Sequence, residues 1–367
     1  MKELCIDARM AMHSGIGTYI RNVVSRLKAG PFKIRLITHR KMVDQWPFLQ
    51  QCDLIFTSAS IYSIEEQVKL PFLVPRCDLF WSPHYNVPLA PVRARRRLTT
   101  IHDVCHLALP ETLNFFQRQY AKHVIRRAIR LSDHILTVSQ FSKDEIIKHT
   151  KAPAEKISVV LQGVDTTHFS VEPSPDLKRE IQKKYQLPPN YFLFVSNLAP
   201  HKNIHRLLQA WSLLVKDFPD WKLILIGNRA KNHSWQILLE QNPALKDHLL
   251  FLGFVSDQEL PALYQGAYGT VHPSLYEGFG FTPLEAMSAD CPTVVSKAAS
   301  LPEVCGDCAV YVDPYDVEDI AAGMRRLIED AGLRHELKKK GMQHVRHFTW
   351  DKTAQKHLEV IERLLQS

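Results

Sequence analysis

No run of this 367-residue chain stays apolar for the roughly eighteen residues that a membrane-spanning helix needs. The opening MKELCIDAR places Asp7 and Arg9 where a secretory leader would continue unbroken in apolar residues, so export is not expected. Cysteine is sparse. Seven residues, an odd number without framework spacing, argue against a disulfide-built scaffold and for reduced thiols in a cytosolic compartment. Cys305 and Cys308 form a CxxC, but neither a second such pair nor a histidine pair follows it. Two small buried residues are therefore expected there, ahead of a zinc or redox site. Zinc-finger spacing and RNP-like aromatic runs are missing too, which removes the usual supports for a nucleic-acid partner.

What the chain does carry is a moderate positive charge, +8, from 46 Lys and Arg against 38 Asp and Glu. Phosphorylated substrates or an anionic membrane surface suit that balance once nucleic acid is set aside. Two stretches concentrate it. RARRR (93–97) reads as a basic run in a loop. FFQRQYAKHVIRRAIRLS (115–132) reads as an amphipathic helix, with Phe116, Tyr120, Val124 and Ala128 on one stripe and Arg118, Lys122, Arg126 and Arg130 on another. Its basic face is either simply solvated or a surface for anionic lipid headgroups.

The length suggests two domains. Short apolar runs alternate with helical patterns throughout. LCIDA, IRLIT, DLIFT, DLFWS, LTTIH, HILTV and ISVVL fall before residue 165, and YFLFVS, KLILIG, LLFLG, YGTVH, PTVVS and AVYVD after residue 190. Continuous apolar strands separated by helices predict an α/β chain of two doubly wound domains with parallel sheets. We place them at 1–168 and 190–349, joined by a polar, proline-rich linker at 169–189, with a last helix at 350–367. Ligands of such sheets bind beyond the carboxyl ends of the strands.

Four stretches fall at those ends. In DARMAMHSGIGTYI (7–20), Gly15-Ile16-Gly17 opens a helix, where bare backbone amides suit a phosphate. Ile20 occupies the place of the third glycine, so this is not a dinucleotide fingerprint. In TTIHDVCH (99–106), His102 is placed to meet a substrate hydroxyl, with Asp103 fixing its tautomer, although a loop-capping histidine would look the same. The neighbouring SPHYNVPL (82–89) carries His84, Tyr85 and Asn86, which turn chemistry also explains. In VSNLAPHKNIHRLL (195–208), Lys202 precedes a helix, where a cation conflicts mildly with the dipole and suggests a nearby anion. Finally, SLYEGFGFTPLEAM (274–287) reads as a strand end, a turn and a helix with Pro283 in its first turn. The Thr282–Glu285 spacing is that of a capping box. Glu277 has no such explanation and stands beside amides that attract anions.

These motifs, with ILTVSQFSKDEI, FLGFV, SLPEV and YVDPYD, occur in the order seen in a known family. The chain resembles the family 4 (group 1) retaining glycosyltransferases, and most closely the bacterial mannosyltransferase-like branch that builds surface polysaccharides such as lipopolysaccharide. EGFGFTPLEAM is similar to their Glu-x7-Glu signature. The resemblance implies the GT-B fold, two Rossmann-like domains facing across a cleft, the first on the acceptor side and the second binding a nucleotide sugar. It implies that the final helix crosses back to the first domain. Glu277 would contact the donor hexose, with Gly278, Phe279 and Gly280 alongside and Phe281 and Thr282 following. Glu285 would hold the ribose, and Phe254 and Val255 would pass the base. Lys202 would bind the diphosphate with Gly15, Gly17 and Asn197. His102 and Asp103 would lie near the reacting sugar, while Arg9, His84, Tyr85 and Asn86 would face the acceptor. Many members carry an arginine where this chain has Asn197, a neutral amide that Arg206 or Arg229 would compensate.

The implied reaction moves a hexose, with GDP-mannose favoured over a UDP-sugar, to a saccharide or polyprenyl-diphosphate-linked acceptor, and retains the anomeric configuration. No Asp-x-Asp triplet occurs, so neither a metal bridging the diphosphate nor a cofactor is expected. The enzyme would be cytoplasmic, or peripheral on the inner face of the cell membrane. A nucleotide-sugar epimerase on the same fold and a catalytically silent partner subunit are the alternatives.

Overall fold

The computed structural model describes residues 1–109, 115–227, 239–240 and 242–366. The chain divides into two compact units, Met1–Gly163 together with Trp350–Ser367, and Val164–Thr349. Among the described residues the first unit contains strands β1 (Lys2–Asp7), β2 (Phe32–Thr38), β3 (Asp53–Phe56), β4 (Cys77–Ser82), β5 (Ala94–Thr100), β6 (His134–Thr137) and β7 (Ile157–Val159). They form one parallel sheet in the order 3-2-1-4-5-6-7. The second unit contains β8 (Tyr191–Val195), β9 (Lys222–Ile226), β10 (Leu249–Gly253), β11 (Gly269–His272), β12 (Thr293–Ser296) and β13 (Val310–Val312), again parallel, in the order 10-9-8-11-12-13.

The helix cover on both sheets follows from the strand composition. Leu4, Cys5 and Ile6, or Phe192, Leu193 and Phe194, are buried in succession, so both faces of the sheet need cover and helices supply it. In each unit the strand order reverses once, between β1 and β4 and between β8 and β11. Side chains on loops leaving these strands converge at a topological switch point, the usual ligand position in doubly wound sheets. Loops after β1 and β4 carry Arg9 and His84. Those after β8 and β11 carry Lys202 and Glu277.

The last helix, Trp350–Gln366, belongs to the first unit and packs along Ile16–Leu27. A directed hydrogen-bond chain holds it. His357 Nδ1 donates to Thr353 O, so its Nε2 accepts from the Tyr19 hydroxyl at 2.5 Å. Tyr19 accepts in turn from Thr100 at 2.9 Å, and Thr100 accepts from Trp81 Nε1. Burial pushes His357 down to about 4, which keeps the ring neutral for this role.

Two expectations need correction. The stretch 169–189 is not open linker, because helix Pro175–Tyr185 fills much of it and lies in the second unit. Ser174 caps it by accepting from Leu177 N, and Pro175 suits its first turn. Only Ile181 of that helix is buried, so apolar periodicity had little to mark. Likewise RARRR is not a loop. Arg95, Arg96 and Arg97 belong to β5, where Arg96 pairs with Asp133 at 3.1 Å and Arg97 donates to Pro88 O. The helix Phe115–Leu131 does bury Val124 and Ala128 while exposing Arg118, Lys122, Arg126 and Arg130, whereas Tyr120 is exposed; the Phe116 side chain lies outside the described residues. No helix among the described residues is long and apolar enough to cross a membrane.

Candidate active site

In the second unit the structure brings Lys202 and Glu277 into direct contact. Lys202 Nζ donates to both carboxylate oxygens, at 2.7 and 2.8 Å. The anion that answers a cation at this helix start is thus Glu277 itself. Ser274 Oγ adds a third hydrogen bond to Glu277 Oε1, at 2.8 Å. Burial opposes ionisation of Glu277, but Lys202 and these hydrogen bonds outweigh it and hold the carboxyl below its ordinary range. An ionised carboxylate only accepts, so Glu277 can read sugar hydroxyls but cannot donate a proton. Lysine has three N–H groups, and two are used on Glu277.

The turn itself is fixed from below. Ser300 Oγ bridges the carbonyls of Glu277 and Phe279, and Asn203 Nδ2 bridges Pro273 and Pro314. Gly280 opens helix Phe281–Ser288 at φ 125°, where a Cβ would also stand 2.9 Å from Leu301. Glycine is required there. Thr282 lies inside the helix, so the capping-box reading of Glu285 fails. Glu285 instead accepts from the Tyr264 hydroxyl at 3.2 Å. Burial pushes its carboxyl up to about 7, with the Tyr264 hydrogen bond pulling down and Asp257 adding to the rise. Asp257 follows Phe254 and Val255 on the loop after β10. Phe254 is 78% exposed, a free ring at a sheet edge, whereas Val255 is buried.

Asn197 accepts from Ala199 N, an Asx turn that shapes its own loop. Arg206, the first compensating cation, donates to Asn203 and lies over the Tyr315 ring. Arg229, the second, lies outside the described residues. Cys305 and Cys308 are both buried, and burial raises both thiols, Cys308 to about 11. Among the described residues no three His, Cys, Asp or Glu are grouped to hold a metal ion.

In the first unit His102 is held on both ring nitrogens. Nε2 donates to Pro83 O at 3.0 Å, and Nδ1 accepts from Gln162 at 3.1 Å. Asp103 does not set this tautomer, contrary to expectation, because its carboxylate instead accepts from Cys105 N at 2.9 Å. Burial lowers the His102 pKa, and the hydrogen bond to Pro83 O and nearby Asp103 only partly offset this. Burial thus favours the neutral ring, which both hydrogen bonds hold in place.

Arg9 is a second correction, since no part of it faces solvent. Its guanidinium holds Asp7 at 2.6 Å and Glu66 at 2.5 Å. Glu66 also accepts from Asn86 Nδ2 and Tyr62 N, and Tyr62 reaches His84 Nε2 at 3.2 Å. Burial raises Glu66 despite the pull of Arg9 and keeps His84 well below its usual range. A cavity of about 10 Å³ beside Asp7, His84 and Asn86 has room for one water. Tyr85 is buried, its hydroxyl 3.4 Å from that of Tyr62. Gly15 takes φ 66°, and a Cβ on Gly17 would stand 2.5 Å from Ala11 O, so the second glycine serves loop-to-helix packing.

Ser274, Ser300, Tyr264, Gln162 and Glu66 were not singled out from sequence. Ser274 opens the glutamate motif and Ser300 lies in SLPEV, but their hydrogen bonds depend on tertiary approach.

The two halves of the chain match two glycosyltransferase families, Glycosyltransferase Family 4 over residues 13–168 and Glycosyl transferases group 1 over 178–344. O-antigen chain mannosyltransferase B of Escherichia coli is 33% identical over 74% of this chain and 71% of its own length. O-antigen chain mannosyltransferase RfbU of Salmonella typhimurium is 33% identical over 68% of this chain and 64% of its own. The structure of Anabaena HepE in complex with UDP-glucose superposes with a TM-score of 0.78 at 17% identity, covering 99% of this chain and 100% of that one. The chain belongs to the group 1, family 4 glycosyltransferases and has their GT-B-type fold.

Proposed function

We propose that the protein transfers a hexose, mannose before glucose, from a nucleoside diphosphate donor to a saccharide or lipid-linked saccharide during surface-polysaccharide synthesis. The single observation that carries this reading is the Lys202–Glu277 pair at the switch point of the second sheet. An ammonium with one N–H to spare suits the donor diphosphate, and an ionised carboxylate beside it suits the donor's hydroxyls. Glu285 would accept from the ribose and exposed Phe254 would stack on the base. The mannosyl preference and the polysaccharide setting rest on similarity to the two O-antigen mannosyltransferases.

On this reading Lys202 and the backbone amides of the glycine turn stabilise the departing diphosphate. The acceptor hydroxyl attacks from the face the diphosphate leaves, giving retention without a metal. His102 acts by position, and Arg9 holds the loop that bears His84 and Asn86 rather than touching the acceptor. The test is a thermal-shift panel of GDP, UDP, ADP and their sugars, followed by transfer assays with and without EDTA. Stabilisation by GDP and GDP-mannose, α-linked product and full activity in EDTA are expected. No nucleotide response would refute the donor reading, and rescue of EDTA-treated enzyme by Mg²⁺ or Mn²⁺ would refute metal independence.

A further inference from the structure

We propose that Gln162 is a positioning residue for the transfer reaction: its amide holds His102 from Nδ1 and keeps that nitrogen free of a proton. Gln162 follows β7, two strands across the first sheet from β5, whose end carries His102. Its orientation follows from the partner on the far side of the ring. A carbonyl oxygen only accepts, so the contact of Nε2 with Pro83 O, at 3.0 Å, makes Nε2 the protonated nitrogen. Nδ1 of the neutral ring is then bare, and only the N–H end of an amide can satisfy it. Gln162 Nε2 does so at 3.1 Å.

The other end of the amide shows that this side chain is not there for stability. Gln162 is 2% exposed, and its Oε1 is buried with no hydrogen-bond donor among the described residues. A buried acceptor left unpaired works against folding, and an apolar side chain of similar size carries no such cost. What glutamine gives in return is its donor end. The surroundings hold both partners in place. Thr353 on the last helix donates to Leu161 O at 2.9 Å, which fixes the backbone next to Gln162. The Tyr19 ring packs nearly perpendicular to His102, their centres 4.9 Å apart. His102 is thus gripped at both nitrogens and against a third side chain.

The titratable groups around the ring are Asp103 on its own loop, His84 after β4, Tyr19 on helix Ile16–Leu27 and His357 on the last helix. Burial keeps His84 and His357 below the ordinary range, and the Asp103 carboxylate is engaged by Cys105 N. The use of this arrangement rests on the function proposed above, which sets His102 beside the reacting hexose. Loss of the diphosphate leaves positive charge on the sugar, as in the oxocarbenium-like transition state of glycoside cleavage. An imidazolium there would oppose that charge, and a ring turned out of place would spoil the approach of the acceptor. A donor N–H against Nδ1 works against both.

The test uses the full chain with isotope-labelled histidine, read by nitrogen NMR, with His102 assigned by the loss of its signals in His102→Asn. In the unaltered protein at pH 7, Nδ1 should be bare and Nε2 protonated. Gln162→Leu removes the donor and the unpaired oxygen together, so its melting temperature should stay within about 3 °C of the parent. Its kcat should fall about tenfold or more, with nucleotide affinity changed less than about threefold. Gln162→Glu sets a carboxylate against Nδ1, which should draw a proton onto that nitrogen and move the acid limb of the kcat profile to higher pH. A protonated Nδ1 in the parent overturns the proposal, as does normal kcat in both variants. A kcat loss in Gln162→Leu matched by a large drop in melting temperature, with the acid limb of Gln162→Glu unmoved, would make Gln162 a packing residue and overturn it equally. A chain that transfers no hexose yet shows the expected His102 spectra would refute the proposed function and leave the hold on His102 standing.

Discussion

Replacing Glu285 by glutamine should make the ligand-free protein more stable while weakening its hold on a nucleotide. Glu285 is raised from 4.5 to about 7, chiefly by burial. Its folded carboxyl therefore binds a proton more tightly than the unfolded one, and ionisation opposes folding. The penalty is absent below about pH 4.5, grows as pH rises and is complete above about pH 7. At about 1.4 kcal/mol for each tenfold in affinity for the proton, the ceiling is about 3 kcal/mol, and about 1–3 is a realistic gain for Glu285→Gln at pH 8. Glutamine keeps an acceptor for the Tyr264 hydroxyl. In a unit of this size each kcal/mol moves the melting temperature by about 2–4 °C. Differential scanning fluorimetry of both proteins from pH 4.5 to 8 should show curves that coincide at the acid end and separate upward. Ribose hydroxyls would donate to the ionised form, so nucleotide affinity of the unaltered protein should rise with pH towards 7, and this dependence should vanish in the glutamine variant. A variant less stable than the parent at pH 8, with nucleotide affinity intact, would refute the reasoning.

Arg9→Ala would leave Asp7 and Glu66 buried without their cation, and should destabilise the protein by about 3–5 kcal/mol, seen as a lower melting temperature at pH 7. If Lys202 binds the donor diphosphate as proposed, Lys202→Ala removes a charge-assisted contact to it and kcat/KM should fall roughly 10- to 150-fold, and an unchanged rate would take Lys202 out of the site. Gly280→Ala forces a Cβ into φ 125° and onto Leu301, so it should both lower the melting temperature and slow transfer by displacing Glu277.

The fold was legible because parallel strands buried on both faces leave unbroken apolar runs. Each of the thirteen runs read from sequence coincides with a strand of the structure. Sequence failed where polarity hides structure, as in the lysine-rich helix Pro175–Tyr185 and in β5, whose arginines belong to its only partly buried first half. At the site, proximity to a strand end was readable and side-chain partnership was not. Lys202 and Glu277 are 75 positions apart and meet only because β8 and β11 are neighbours. Asp103 adjoins His102 in sequence yet turns to Cys105 N, while Gln162, sixty positions away, supplies the hydrogen bond. Sequence adjacency favoured the wrong partner because a carboxylate reaches a backbone amide two residues on at little cost in order. The Thr282–Glu285 spacing misled similarly, since Gly280 rather than Thr282 begins the helix.

The direct contact of Lys202 with Glu277 changes what removal of the carboxylate should do. If the two acted separately, Glu277→Gln would slow transfer and leave the bare nucleoside diphosphate unaffected. Here Glu277 takes two of the three lysine N–H groups and sets a negative charge beside the proposed diphosphate position. A diphosphate must share the ammonium with that carboxylate and bear its repulsion. Neutralising Glu277 frees the lysine and removes the repulsion, which at about 8 Å and an effective dielectric of 20–40 is about 1–2 kcal/mol. GDP or UDP should therefore bind about 5- to 30-fold more tightly to Glu277→Gln, while transfer slows because an ionised acceptor for the sugar hydroxyls is gone. In the parent enzyme the sugar hydroxyls would occupy Glu277 and loosen its claim on Lys202, so hexose and diphosphate should assist each other's binding. Isothermal titration of the bare nucleotide and of the intact donor, on parent and variant, measures both terms. Unchanged or weaker nucleotide binding with normal turnover in Glu277→Gln would show that the pair is a structural ion pair and that the donor binds elsewhere.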